Sequence, residues 1–139
     1  MKFGGTSVAT TERIQHVAQR IQKEYKKGHS IVAVVSAMGK TTDQLVAMAN
    51  EIATTPSKRE MDVLLTTGEQ VTISLLSMAL QSLGIEAQSF TGWQAGIVTE
   101  QVPSNARIEN IQAKTIQQAL NERKIAVVAG FQGIDAQGN

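Results

Sequence analysis

The residues best placed to do chemistry stand at the start of the chain, as Lys2-Phe3-Gly4-Gly5-Thr6-Ser7-Val8. A cation comes first, then two glycines, then two hydroxyls, and then a helical pattern. Glycines let a backbone approach an anion closely and turn with positive φ. A helix that follows points unsatisfied N–H groups and a positive dipole end toward the same place. Together these features describe a phosphate cradle, with Lys2 as a point charge able to reach transferable oxygens. The same residues also satisfy a plain Gly-Gly turn beside a solvated lysine, and the motif alone leaves both readings open.

Further positions carry polar or aromatic chemistry. Ser36 directly follows an apolar run and Thr42 lies six residues on, near the next helix start. The pair either hydrogen-bonds a small polar substrate at a sheet edge, or Thr42 or Asp43 caps the helix. Glu69 follows Gly68 inside the apolar stretch Met61 to Leu83, whose Leu64, Leu65, Val71, Ile73, Leu75 and Leu76 read as core-bound. A buried carboxylate there must be paired or serve a ligand; an exposed one would lie on the helix's polar face. Phe131 sits in Gly130-Phe131-Gln132-Gly133 and by itself reads as a core aromatic. Trp93, in Gly92 to Gly96, reads as a core or subunit contact.

Other motifs lead nowhere. Gly39-Lys40-Thr41 matches the tail of a P-loop, but that motif needs a glycine where this chain has Val34. His16 lies beside an apolar stripe and His29 in a turn, without partners at metal-ligand or triad spacing. No metal ligands are assigned.

The elements that must position these residues alternate strand and helix. Thr10 or Thr11 caps a helix whose Ile14, Val17, Ala18 and Ile21 follow the 3.6-residue period, and Lys26, Lys27 and Gly28 end it. Ile31 to Val35 reads as a strand buried on both faces. A loop from Ser36 to Lys40 leads to a helix from about Thr42 to Ala53, with Leu45, Val46, Met48, Ala49 and Ile52 turned inward. Ser57 and Glu60 have capping-box spacing and open a helical region reaching Leu83, interrupted at Gly68 and stopped by Gly84. Ile85 to Phe90 is a short strand, Thr91 to Val98 a loop, and Ala106 to Ile108 a weakly signalled strand. Lys114 to Arg123 is helical, with Ile116, Ala119 and Leu120 apolar, and Ile125 to Ala129 is a second fully apolar strand. This alternation predicts a parallel, helix-covered sheet. Such sheets bind ligands at the carboxyl ends of their strands, where the glycine loop, the Ser36 loop and the Phe131 loop all fall.

Composition narrows the classes. The chain has 139 residues, 42% of them apolar and 18% charged, which is globular. A net charge of +1 argues against a broad footprint for nucleic acid or an anionic membrane. No run of eighteen apolar residues predicts a spanning helix, and no apolar segment at the start predicts a secretory signal. The absence of cysteine removes disulfide and thiolate chemistry and fits a cytoplasmic setting.

Lys2 to Val8 resembles the opening signature of aspartate kinases in the amino-acid kinase family. Val34-Val35-Ser36-Ala37-Met38-Gly39, Thr66-Thr67-Gly68-Glu69-Gln70 and Ala129-Gly130-Phe131-Gln132-Gly133 resemble later motifs of that family in the same order. The resemblance implies an α/β three-layer αβα sandwich with a mainly parallel sheet, here as the N-terminal, amino-acid-binding portion of the kinase domain. It implies transfer of the ATP γ-phosphoryl group, with Mg²⁺, to the β-carboxylate of L-aspartate, the first step toward lysine, threonine and methionine. Lys2, Phe3, Gly4, Gly5, Thr6 and Ser7 would then surround the phosphates, with Lys2 catalytic. Ser36, Thr42, Glu69 and Phe131 would hold aspartate, Glu69 on its α-ammonium group and Phe131 as a wall. In that family an apolar strand precedes the lysine, and a Gly-Arg-Gly-Gly-Ser-Asp segment would follow Asn139. The ATP-binding half and the regulatory domains would lie beyond it, so the chain reads as incomplete and inactive by itself. A homo-oligomer, or association with the regulatory part, is the expected assembly. The alternatives are a relative acting on glutamate or acetylglutamate, and a non-catalytic binding or dimerising module.

Overall fold

A computed structural model describes residues 1–91, 97–99, 108–111 and 114–130. Its main sheet has four strands: β1 (Lys2–Phe3), β2 (Val32–Val35), β3 (Ala87–Phe90) and β6 (Ile125–Ala129). They lie in the order β1-β2-β6-β3 and every pairing is parallel. Lys2 stands opposite Val34, and Val34 opposite Val128. Two further strands, β4 (Ile97–Thr99) and β5 (Ile108–Ile111), pair antiparallel in a separate sheet. Residues 97 and 98 are thus strand where the sequence predicts loop, and β5 begins where the predicted Ala106–Ile108 strand ends.

The helices are α1 (Thr11–Lys26), α2 (Thr41–Ile52), α3 (Lys58–Ser82) and α4 (Lys114–Asn121). Alternation along each strand sorts the core into two halves. Phe3, Ala33, Val35, Ile125, Val127 and Ala129 join Ile14, Val17, Ala18 and Ile21 of α1 and Ile73, Leu76 and Leu80 of α3. Phe90, Ala126 and Val128 pack with Ile116 and Ala119 of α4 on the other face. Helix, sheet, helix is the predicted three-layer order. Ile21, Leu76, Leu80 and Ile125 are fully buried, and each such side chain stabilises the fold by roughly 1.5–3 kcal/mol.

Local signals explain the helix ends. The Thr10 hydroxyl accepts from the Arg13 N–H at 3.2 Å and the Ser57 hydroxyl from the Glu60 N–H at 3.2 Å. Gly84, at φ +81°, closes α3 as the Ile85 N–H reaches the Leu80 carbonyl and the Gly84 N–H the Gln81 carbonyl. α4 ends in the same way two residues before the predicted Arg123, with Arg123 itself at φ 62°.

The structure corrects three expectations. α3 runs unbroken through Gly68, because that glycine removes a Cβ from a crowded contact and does not turn the chain. Val71 is exposed, on the outer side of α3. α2 buries no residue, and Met48 and Ile52 face solvent, because among the described elements it packs on α3 along one narrow side. By length and composition alone α3 is apolar enough to cross a membrane. Its Ile73, Leu76 and Leu80 instead pack on the sheet, as in the core helix of a globular domain.

Candidate functional site

Three strand ends come together at the carboxyl edge of the sheet. β1 runs into the glycine loop, β2 into Ser36 to Lys40, and β6 into Gly130. The Gly130 N–H donates to the Val35 carbonyl at 2.8 Å, holding the end of β6 beside that of β2. The Gly39 N–H donates to the Gly5 carbonyl at 3.0 Å, which ties the Ser36 loop to the glycine loop.

The two glycines after Lys2 have different reasons to be there. A Cβ on Gly4 would meet nothing within 4 Å, whereas one on Gly5 would come within 3.2 Å of the Ala37 carbonyl oxygen. Neither has the positive φ that the sequence reading attached to them. That conformation belongs to Gly39, at +41°, which lies 3.2 Å from the Ala9 Cβ by the same construction. Gly5 is required by a close approach and Gly39 by a turn.

Within the loop the Ser7 N–H donates to the Gly4 carbonyl at 3.0 Å, and Thr6, Ser7 and Gly4 are exposed. Lys2 is exposed at the sheet edge, while its neighbour Phe3 is buried against α1 and α3. α1 begins at Thr11, so the glycine loop and the helix are joined through a further turn and not directly. Arg13 bridges that turn: its Nη1 donates to the Thr6 carbonyl at 2.6 Å.

The acceptor candidates sit behind this loop. Gly68 approaches Ala37, Thr41 and Leu45, so that a Cβ there would lie 3.0 Å from the Ala37 Cβ and 3.2 Å from the Thr41 Cγ2. Ser36 precedes Ala37 and Glu69 follows Gly68, so this contact brings the two polar candidates into one neighbourhood. Glu69 is 2% exposed and is not without an interaction partner in the protein. A carboxylate so far from solvent is held there by its surroundings. Ser36 is half-buried; Thr42 is exposed in the first turn of α2. The residue before α2 is Lys40, with no side-chain cap, so the expected cap from Thr42 or Asp43 is absent. The Thr41 N–H instead reaches the Met38 carbonyl at 2.9 Å, which starts the helix ahead of both. Phe131 and Trp93 lie outside the described residues.

Arg13 takes part in this geometry and was not among the sequence candidates, while Ala37 and Gly39, named there only within motifs, owe their place to close contacts. The available signal for Arg13 was a cation in the first turn of a helix, where the dipole disfavours it. Other features lie far away. An open depression of about 590 Å³, lined by Gln81, Gly84, Ile85 and Lys124 among others, is at the amino ends of β3 and β6. Near the amino end of β2, the Glu24 carboxyl is held below its usual range by a hydrogen bond from Lys27 and by that ammonium's charge, with His29 adding to both.

The family model described as the amino acid kinase family matches residues 1–139. An aspartokinase of Bacillus sp. (strain MGA3) is 66% identical over 137 residues, covering 99% of this chain and 33% of the relative. The crystal structure of an aspartate kinase from Synechocystis superposes with a TM-score of 0.80 at 54% identity, over 99% of this chain and 22% of that one. E. coli aspartokinase III, in complex with aspartate and ADP, has the same fold at a TM-score of 0.83 and 21% identity, over 99% and 41% of the two chains. The chain spans about a third of the length of the curated relatives it matches.

Proposed function

The chain belongs to the amino acid kinase family, and from that premise we propose that it forms the phosphate-loop and amino-acid-binding portion of an aspartate kinase. The reaction is transfer of the ATP γ-phosphoryl group to the β-carboxylate of L-aspartate, giving 4-phospho-L-aspartate. The observation that carries this reading is the Ala37–Gly68 contact, which joins the loop after β2 to the helix turn bearing buried Glu69, beside the glycine loop. The aspartokinase relatives named above support the choice of substrate.

Phosphoryl transfer depends on positioning and charge neutralisation more than on covalent help. Lys2, exposed at the start of the two-residue strand β1, neutralises charge on the migrating group. The loop from Phe3 to Ser7 lies along the phosphates, and Gly4, with open space where a Cβ would be, lets the backbone come close. Glu69 receives the α-ammonium group of aspartate, with Ser36, Thr42 and Phe131 completing the pocket. The attacking carboxylate is ionised at neutral pH, so no general base is required. Among the described residues no group of three or more His, Asp or Glu could hold a metal ion, and no step is assigned to magnesium in this chain.

The test is a chimera in which this chain replaces the matching third of the Bacillus sp. (strain MGA3) relative. Trapping with hydroxylamine should yield aspartyl hydroxamate from ATP and aspartate, with glutamate and acetylglutamate as poor acceptors. A folded chimera that binds neither aspartate nor ATP would identify a non-catalytic module. The 139-residue chain alone should show no turnover above a Lys2→Ala control, because ATP, metal and acceptor must be held together.

A further inference from the structure

We propose that Arg13 is a positioning residue for the phosphate loop, holding the Thr6 carbonyl oxygen away from the bound anion. This rests on the phosphate-binding reading of the glycine loop. A backbone loop that faces an anion presents N–H groups to it and must turn its carbonyl oxygens elsewhere, since each carries partial negative charge. Three successive carbonyls of this loop are held by the protein: Gly4 accepts from the Ser7 N–H at 3.0 Å, Gly5 from the Gly39 N–H at 3.0 Å, and Thr6 from the Arg13 guanidinium at 2.6 Å. Backbone groups secure the first two. The third depends on one side chain.

That side chain is also in an unfavourable place for the helix it belongs to. Arg13 lies in the first turn of α1, where Glu12 suits the positive dipole end and a guanidinium opposes it. A residue that breaks a local rule is expected where it serves a site. Its backbone is fixed as well: the Thr10 hydroxyl accepts from the Arg13 N–H at 3.2 Å, so the cap and the loop contact share one residue. The planar guanidinium keeps further donors beyond the one given to Thr6, so the group adds positive charge at the edge of the loop. Thr6 and α1 are thereby set in one piece.

The experiment uses the chimera for kinetics and the 139-residue chain for hydrogen exchange. Arg13→Ala should raise the ATP KM and lower kcat by about tenfold together, as for loss of a charged hydrogen bond, with the aspartate KM within about twofold. Arg13→Lys, which retains charge and one reach to the carbonyl, should recover part of the loss. In the chain itself Arg13→Ala should speed exchange at the Ser7 amide, whose bond to Gly4 lies in the same loop, while amides of β6 are unchanged. The proposal is overturned if the parent chimera is active and Arg13→Ala leaves the ATP KM and kcat alone. It is equally overturned if both KM values shift together with thermal stability, or if Arg13→Lys is no better than Arg13→Ala, since either marks a helix-structural role. An inactive parent chimera sinks the kinase reading itself, and the proposal with it.

Discussion

Gly68 in α3 lies against Ala37 in the loop after β2, so closely that a Cβ built on the glycine would stand 3.0 Å from the alanine's Cβ. The same atom would be 3.2 Å from the Thr41 Cγ2 and 3.7 Å from the Leu45 Cδ1. Ala37 is buried and short, with no flexible end to move aside. The distance between helix and loop is therefore set by what these two residues lack. Their neighbours in sequence, Ser36 and Glu69, flank this contact on its two sides.

Gly68→Ala puts two effects in competition. Alanine is favoured over glycine in a helix interior by about 1 kcal/mol. Overpacking a tight contact costs about 1–3 kcal/mol. Because the struck atoms belong to a buried alanine and to the first turn of α2, the second effect should win. The expected result is a net loss of about 1 kcal/mol in denaturant unfolding, with weaker aspartate binding in the chimera. A stabilised variant with unchanged binding would mean that the contact is loose.

Glu69→Gln keeps the shape of the side chain and removes its charge. If Glu69 receives the ammonium group of aspartate, the loss of a charge-assisted bond worth ~1.5–3 kcal/mol raises the aspartate KM roughly ten- to a hundred-fold. The ATP KM should stay within about twofold. Steady-state kinetics of the chimera checks both. An unchanged aspartate KM beside a collapsed thermal midpoint would assign Glu69 to the fold instead.

Ser77 offers a stability gain. Its hydroxyl is buried on the inner side of α3 and has no hydrogen-bond partner among the described residues. An unsatisfied buried polar group costs about 1–3 kcal/mol, and alanine is the better helix former. Ser77→Ala should therefore stabilise the chain by about 1 kcal/mol, measured by thermal or denaturant unfolding. A loss of stability would reveal a polar contact for that oxygen.

Periodicity works where an element is covered on the side its apolar residues face. The stripe Ile14, Val17, Ala18 and Ile21 is buried, and the run Ile125 to Ala129 is buried on both faces. The same reasoning fails for Met48 and Ile52, because period shows which side is apolar and not whether anything packs there. Gly68 was read as a break because glycine disfavours helix; its missing Cβ answers to Ala37, which lies 31 residues away in sequence. In the site, the Lys2 and glycine pattern was legible because consecutive residues carry it. Arg13 was not, since its bond to Thr6 depends on the path of the turn between them.

Arg123 joins strain to recognition in one residue, and two substitutions separate them. It closes α4 at φ 62°, where the Arg123 N–H reaches Leu120 and the Lys124 N–H reaches Ala119, a position that glycine fills without penalty. Its guanidinium stacks 4.1 Å from the Tyr25 ring centroid and donates to the Tyr25 carbonyl at 2.9 Å and the His29 carbonyl at 3.0 Å. The Tyr25 hydroxyl donates back to the Arg123 carbonyl at 2.9 Å, a bond that any residue at 123 preserves. Arg123→Ala loses the side-chain contacts and keeps the backbone strain. Arg123→Gly loses the same contacts and relieves the strain, which costs roughly 1–2 kcal/mol for a residue with a Cβ. Arg123→Gly should therefore be the more stable variant by about 1 kcal/mol, with both below the parent if the contacts outweigh the strain. Urea titrations of the three proteins decide the matter. Equal midpoints for the glycine and alanine variants would show that the left-handed turn carries no strain.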